Sequence, residues 1–320
     1  MVSNTVSLVV DIFLLVICIL QILANFLVLF VWFTTNKLYR NENLILLISL
    51  AFIDFIYAVL QFPYLIILIT GIKPDDVPLD YNPWVIVHLG GPSAALMKAG
   101  CTITVAIALD RAVALSFPVR YYRRQKSACW SIGAFVLALV LTFIDWLILQ
   151  LTVPIKPAPG CASFGCFTTK AFRAYWGLSN MVVNLIACLL TVVVIYQLFK
   201  KSKAVADLER ENRSKIDRNV NRVAYYILIV SAAIGVVPGC LNGVTTIIEL
   251  SILSEISFFV GTSATLSGLS HAFIFGIAHR DIKYAIMKRI FKLDVVSPPR
   301  RTEVTSRRAP SSCQNNIQIR

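Results

Sequence analysis

The sequence predicts an all-α membrane protein, a seven-transmembrane helix bundle with a short amphipathic cytoplasmic helix after the seventh span. Three observations predict it. The 320 residues are 57% hydrophobic and only 15% charged, with a mean hydropathy of +0.74, whereas about 25% of the residues of a soluble domain are charged. The apolar residues fall into long blocks. The basic residues gather in alternate connections between those blocks.

Seven blocks reach the length of about 20 residues that a helix needs to cross a bilayer core. Every backbone N–H and C=O in hydrocarbon must be hydrogen-bonded within the chain, so blocks of this length must be helices. The predicted spans are Leu8–Phe33, Leu44–Ile69, Trp84–Leu109, Trp130–Val153, Tyr175–Phe199, Val223–Leu250 and Ile256–Ala278.

The predicted organisation is one bundle domain over residues 8–293, with residues 1–7 outside the cell. Residues 294–320 are rich in Pro, Ser and Arg and are expected to be a disordered cytoplasmic tail. The first block has no basic segment or small-residue cleavage site before it, which favours a retained signal anchor over a cleaved signal peptide.

The net charge of +13 is concentrated after the first, third, fifth and seventh blocks. Positive residues mark the cytoplasmic side of a membrane protein. This segregation therefore places the N-terminus outside and the C-terminus in the cytoplasm, as an odd number of spans requires. It favours the lipid bilayer as the partner of the basic residues and argues against nucleic acid.

The segment Asp281–Leu293 places Ile282, Ile286 and Ile290 at helical spacing among lysines and arginines. This pattern predicts an amphipathic basic helix that lies on an anionic inner leaflet. The alternative is a plain solvated tail.

The strongest local signal is the pair Asp110-Arg111 at the cytoplasmic end of the third block, followed by Pro118 and Tyr121. Charges at that depth are costly unless they are paired or reach the interface. The stretch resembles the end of the third helix in rhodopsin-like G-protein-coupled receptors, with Ala112 in place of their tyrosine. The resemblance implies that Arg111 binds Asp110 at rest and turns to a G protein on activation. The alternative is an interfacial ion pair without a signalling role.

Further matches to that family lie on the first two blocks. Asn25 matches the signature asparagine of its first helix, and Leu50, Ala51 and Asp54 match its second-helix motif. The family often holds sodium at this aspartate, although Gly100 replaces the serine of the third helix that usually assists. The alternative is a neutral structural acid at Asp54.

The later blocks depart from the family pattern. His271 stands for the asparagine of the seventh-helix motif, and we hypothesise a pair between Asp54 and His271; a neutral histidine with an ordinary hydrogen bond is the alternative. The sixth block keeps a kinking Pro238 but has Val236 where the family has tryptophan. In the fifth block, Tyr196 matches the family's switch tyrosine.

The outer loop between the fourth and fifth blocks contains Cys161 and Cys166, on the oxidising side of the membrane. A bridge between them is plausible and would add about 2 kcal/mol to stability at most. With the family's usual bridge position on the third helix occupied by Ile86, this combination resembles nematode serpentine chemoreceptors of the BC or Srsx-like class.

The family binds its ligands in the outer half of the bundle. Lys98, well inside the third block, allows two interpretations: a structural pair with Asp145 or a contact with a carboxylate on the ligand. The candidates for ligand contact are Ser93, Met97, Lys98, Asn180, Asn184, Cys240 and Asn242.

The resemblance implies a chemosensory G-protein-coupled receptor of the plasma membrane. It would bind an extracellular small molecule or peptide and activate a heterotrimeric G protein. No enzymatic activity and no cofactor are expected, and the three histidines lack the shared spacing of a metal site. A transporter without G-protein coupling is the main alternative, although it would be expected to show repeated halves. A retinal-binding opsin is disfavoured, because Thr265 stands about where an opsin carries its retinal-binding lysine.

Overall fold

The structure is a computed structural model that describes residues 3–39, 44–117, 121, 128–161, 163–207, 215–236, 238, 244 and 253–289. We call the end of the bundle that carries the N-terminus the outer end, and the opposite one the inner end. The longer helices are α1 (Asn4–Thr34), α2 (Ile45–Thr70), α3 (Pro83–Ser116), α4 (Ala128–Thr152), α5 (Lys170–Asp207), α6 (Lys215–Val230), α7 (Leu253–Ala278) and α8 (Arg280–Arg289). A short helix of four residues, Asn36–Tyr39, follows α1.

The chain is an all-α, seven-transmembrane helix bundle, as predicted. Within the described residues, six helices (α1–α5 and α7) are long and apolar enough to cross a membrane. In α6 the described apolar part, Arg222–Gly235, is shorter, and most of the predicted span beyond it lies outside the described residues. A π-helical segment, Ser231–Val236, continues α6 towards the outer end.

The helix bounds differ from the predicted blocks mainly by being longer. Helix α1 begins at Asn4 because the side chain of Ser3 accepts a hydrogen bond from Thr5 N and caps it. Helix α3 begins at Pro83, capped by Asn82, and continues to Ser116. Helix α5 runs on to Asp207, beyond Phe199, where the predicted span ends.

Helix α1 shows how the sequence selects the buried face. Its buried residues recur at alternating steps of three and four, which places them along one stripe of the helix. They include Ser7, Asp11, Leu14, Cys18, Gln21, Asn25 and Val28. The opposite face carries exposed apolar residues such as Phe13 and Phe26, as expected for a surface that contacts lipid.

Helix α8 follows α7 after a single residue, His279, and packs against the inner end of α1. Ile282 and Ala285 are buried, and Arg289 Nη2 donates a hydrogen bond to Thr34 O at 2.8 Å. The amphipathic helix after the seventh span is therefore present over the described part of the predicted segment. Residues 290–293 of that segment and the tail, 294–320, lie outside the described residues.

The outer end of α1 is held by the loop between α2 and α3. Thr5 N and Ser3 Oγ donate hydrogen bonds to Asp75 Oδ1 at 3.0 and 2.9 Å, and Thr5 Oγ1 donates to Oδ2 at 2.9 Å. The backbone hydrogen bond from Thr5 and the two hydroxyl bonds lower the pKa of Asp75 from its ordinary value of 3.8. This contact fixes the N-terminal end of α1, which lies two turns from Asp11 on the same helix.

We expect Asp75→Asn to loosen this contact, because an amide oxygen accepts more weakly than a carboxylate at a helix N-terminus. A lowered pKa means that the stabilisation is present above the ordinary value and is lost as the pH falls through the folded-state value. Hydrogen exchange of residues 3–7 should accelerate in the variant at pH 7 and in the native protein on acidification. Asp76→Asn is the matched control, and equal exchange in both variants would contradict the assignment.

Candidate ligand cavity and switch

The inner end of α3 holds a buried charged cluster. Asp110 and Arg111 are 5% and 7% exposed, and Arg111 Nε donates to Asp110 Oδ2 at 2.9 Å. Arg111 Nη2 also donates to the same oxygen. Tyr121 OH donates to Asp110 Oδ1 at 3.1 Å and lies 3.3 Å from Arg111 Nη2. The carboxylate thus holds the guanidinium against α3, and the tyrosine bridges both groups.

Of the other two predicted switch residues, the one that the structure describes lies apart from this cluster. Tyr196 is 65% exposed on α5, so its side chain faces away from the bundle. Its neighbour Gln197 instead joins α5 to α3, since Gln197 Nε2 donates to Ser116 Oγ at 2.8 Å. Pro118 lies outside the described residues.

A buried polar network crosses the middle of the bundle. Asp54 Oδ2 on α2 lies 2.8 Å from His271 Nδ1 on α7. The other ring nitrogen of His271 lies 2.9 Å from Ser231 Oγ and 3.4 Å from Ser267 Oγ. Ser231 is the first residue of the π-helical segment that continues α6. The histidine therefore connects α2 and α7 to α6, through one side chain with a partner on each ring nitrogen.

Helix α1 joins this network through two amides. Gln21 Nε2 donates to Asp54 O at 2.9 Å, and Asn25 Nδ2 donates to Gln21 O and to Gly268 O at 3.1 and 3.4 Å. Gly268 has no side chain where α7 meets α1, and a Cβ there would collide with the amide of Gln21. The signature Asn25 thus acts by tying α1 to α7.

Above this network lies an inner cavity of about 100 Å³. Asp54, His271 and Ser231 line it, together with Asn180 and Asn184 of α5. Asn180 Nδ2 donates to Trp176 O at 2.8 Å, while its Oδ1 is buried without a hydrogen-bond partner. The predicted contact residues Asn180 and Asn184 therefore face a cavity in the middle of the bundle.

Lys98 pairs with Asp145, which was the structural one of the two interpretations of this residue. Its Nζ lies 2.7 Å from each carboxylate oxygen of Asp145 on α4 and donates to Ser179 Oγ on α5 at 2.7 Å. Tyr175 OH donates to Asp145 Oδ1 at 2.7 Å, and its ring centroid is 5.1 Å from the ammonium. Lys98 and Asp145 are 3% and 1% exposed, and Lys98 lines neither cavity.

A second, outer cavity of about 110 Å³ lies beneath the loop between α4 and α5. The predicted residues Ser93 and Met97 line it, and Met97 also lines the inner cavity. Ser93 Oγ donates to Gly90 O at 2.9 Å, so its own helix already uses its proton. The remaining candidates, Cys240 and Asn242, lie outside the described residues.

The roof of the outer cavity is a short 3-10 helix, Phe164–Phe167. A disulfide joins Cys161 to Cys166, and Tyr64 OH on α2 accepts a hydrogen bond from Phe164 N at 3.0 Å. Ser163, Phe164 and Gly165 line the cavity. The disulfide and the tyrosine together hold the loop over the opening of the bundle.

Sequence reasoning missed two charged residues in the wall of the outer cavity, Asp11 of α1 and Arg173 of α5. Asp11 had a signal, since it belongs to the buried stripe of α1 and is an acid within a membrane-spanning block. Arg173 lies near the start of its helix, where an arginine is expected at the membrane–water interface. Among the described residues, no group of three or more His, Cys, Asp or Glu side chains could hold a metal ion.

Residues 3–265, most of the chain, match the model of a family described as the serpentine type 7TM GPCR chemoreceptor Srbc. No curated protein matches the chain. The matched region includes α1–α5, the described part of α6 and the outer half of α7, and hence the walls of the outer cavity.

We expect Lys98→Met to lower the free energy of unfolding by about 3–5 kcal/mol, because it leaves Asp145 as a buried charge without its cation. The double variant Lys98→Met, Asp145→Leu removes both charges and should recover much of that loss. Thermal unfolding of the purified protein measures both effects. A Lys98→Met variant as stable as the native protein would show that the pair does not hold α3, α4 and α5 together.

Proposed function

We propose, since the chain belongs to the Srbc family of serpentine seven-transmembrane chemoreceptors, that it is a chemosensory G-protein-coupled receptor. A small extracellular molecule binds in the outer cavity, and a heterotrimeric G protein binds at the inner end. The protein carries out no covalent chemistry and needs no cofactor. Its action is a shift between two arrangements of the helices, which requires the ligand to bind one arrangement better than the other.

The observation that carries this proposal is the stacking of the two cavities. Tyr57, Met97, Trp176 and Val260 line both of them. A ligand in the outer cavity therefore contacts side chains whose other surfaces border the inner cavity. The inner cavity in turn ends at Asp54, His271 and Ser231. A contiguous path of packed side chains thus runs from the outer loop to the polar network.

Helix α6 is the helix that can move when this polar network loses a hydrogen bond. His271 reaches Ser231 at the start of the π-helical segment. A π-bulge and a nearby proline, here Pro238, are both places where a helix bends. When the contact between His271 and Ser231 is lost, the inner half of α6 is free to swing outward. That movement would open a cleft beside Arg111.

The size of the cavities favours a small molecule over a peptide as the ligand. A cavity of about 150 Å³ accommodates benzene, and the outer cavity has about 110 Å³. A compound of a few heavy atoms fits such a space, whereas a peptide could place only one side chain in it.

The charges support an orientation. Basic residues cluster in the connections at the inner end and on α8, which favours the cytoplasm as the side that this end faces. The outer loop with its disulfide then faces the oxidising exterior. We propose the plasma membrane as its location, because a chemoreceptor must meet extracellular compounds.

Epitope tags at the two termini test this orientation. In intact cells we expect an antibody to label the N-terminal tag, and to label the C-terminal tag only after the membrane is permeabilised. Labelling of both tags from one face would contradict an odd number of spans and would remove the basis of the coupling proposal.

Arg111→Ala should abolish nucleotide exchange on added G protein, because the guanidinium is the group released towards the G protein. Asp110→Asn should raise the ligand-independent exchange by about tenfold or more, since a hydrogen bond to a charged group is worth about 1.5–3 kcal/mol. Exchange of labelled GTP in reconstituted vesicles measures both effects.

The matched control is Lys170→Gln, which removes a positive charge at the outer end and should leave the basal exchange unchanged. Equal basal exchange in the native protein, Asp110→Asn and Arg111→Ala would sink the coupling role of this cluster. Uptake of labelled solute by the same vesicles would favour the transporter instead.

A further inference from the structure

We infer that the outer cavity binds a small dipolar molecule, which carries an anionic carboxylate-like group for Arg173 and a cationic amine for Asp11. The inference rests on the proposed receptor function and deepens it, since it names the chemical class of the ligand. Within the described residues, these two are the only Asp, Glu, Lys, Arg or His side chains in the wall of this cavity. Neither forms an ion pair with another described residue.

Asp11 is the more unusual of the two. It is 1% exposed, and its Oδ1 is buried without a hydrogen-bond partner. None of the hydrogen bonds among the described residues involves either of its oxygens. By contrast, Asp54, Asp110 and Asp145 each have at least one polar partner within 3.1 Å. A buried carboxylate without a partner is costly, so Asp11, which has no hydrogen-bond or ion-pair partner among the described residues, is a functional candidate.

Arg173 is fixed on the other wall but is not neutralised. Its Nη1 donates to Gly165 O and to Thr168 O, both at 2.8 Å. These two carbonyls orient the guanidinium beneath the disulfide loop. A guanidinium has five N–H donors and stays protonated in proteins, so the nitrogen atoms apart from Nη1 remain free to donate. A planar, bidentate anion such as a carboxylate matches that geometry.

The two charges together decide between a dipolar ligand and a singly charged one. With Asp11 ionised, the wall carries one negative and one positive group, and their charges sum to zero. A simple anion would neutralise Arg173 but would bring a second negative charge near Asp11. A simple cation would neutralise Asp11 but would bring a second positive charge near Arg173. A molecule with both charges satisfies each wall group and adds no net charge to the site.

The remaining wall is suited to a short hydrocarbon chain between the charged ends. It includes the aromatic rings of Tyr57, Tyr64, Phe164, Phe172 and Trp176. Trp176 Nε1 is buried without an acceptor, so it offers one further hydrogen bond to the anionic end of a ligand. With a volume of about 110 Å³, the cavity is smaller than the roughly 150 Å³ that accommodates benzene, so it suits a molecule of a few heavy atoms. An ω-amino acid with a few methylene groups meets these requirements.

The test uses the purified full-length protein in lipid nanodiscs and measures the shift of the unfolding temperature with probe concentration. The probes are β-alanine, γ-aminobutyrate and δ-aminovalerate, which vary the separation of the two charges. The matched compounds are valerate, which lacks the amine, and isohexylamine, which lacks the carboxylate. Each has the same number of heavy atoms as γ-aminobutyrate.

We expect at least one of the three ω-amino acids to bind about tenfold or more tightly than both matched compounds, because each charged end gains a charge-assisted hydrogen bond. Arg173→Gln should remove its advantage over isohexylamine, and Asp11→Asn its advantage over valerate. Lys170→Gln, at the exposed start of α5, should change neither preference.

The dipolar assignment fails if valerate or isohexylamine binds the native protein as well as all three ω-amino acids do, and this arm does not depend on whether any variant folds. Preferences that persist unchanged in folded Arg173→Gln and Asp11→Asn would place the ligand elsewhere. The assay measures binding without a G protein. A failure here therefore leaves the nucleotide-exchange results standing, and a failure of exchange leaves the binding site standing.

Discussion

The structure depends on one constraint, that a polar group within hydrocarbon must find its partner inside the protein. Three buried pairs meet this demand at different depths of the bundle. Lys98 and Asp145 join α3 to α4 near the outer half. Asp54 and His271 join α2 to α7 in the middle, and Asp110 holds Arg111 at the inner end. Because packing and interhelical polar contacts take over in lipid the role that the hydrophobic effect has in water, such pairs help to determine which helix faces meet.

The same constraint separates structural charges from charges that await a ligand. Lys98 has a carboxylate, a hydroxyl and an aromatic ring around it, so its charge is fully used within the fold. Asp11 has no hydrogen-bond or ion-pair partner among the described residues. Burial does not distinguish Lys98 from Asp11, since they are 3% and 1% exposed. What distinguishes them is whether partners surround the charge and whether the residue borders a cavity.

The sequence predicted the helices well because its signals are local. Block length and loop charge are properties of consecutive residues, and the motifs at Asp54 and Asp110 are short. The structure also brings Asp54 and His271 into contact, as hypothesised, because the motif positions fixed which faces of α2 and α7 turn inward. The choice for Lys98 stayed open, since either interpretation needs only an inward-facing lysine. The distance to Asp145 decides it.

The outer cavity was harder to foresee, because its wall comes from segments that are far apart in sequence. Asp11 and Arg173 are separated by about half of the chain, and Arg173 is oriented by carbonyls of the disulfide loop. No periodic pattern in the sequence indicates that these distant segments meet at one cavity. The candidate ligand contacts from the sequence lie on the third, fifth and sixth blocks, whereas α1 and α2 line much of the cavity.

This placement bears on how a signal would travel. The family's tryptophan on the sixth helix is replaced by Val236, so an aromatic switch at that position is unavailable to this chain. Tyr57 of α2 and Trp176 of α5 border both cavities, and Asp54 lies about one turn from Tyr57 on the same helix. A ligand drawn between α1 and α5 would press on these two rings and, through them, on the hydrogen bonds of His271. The release of α6 would then follow from the breaking of one bond to Ser231, a smaller change than the rearrangement of a large aromatic side chain.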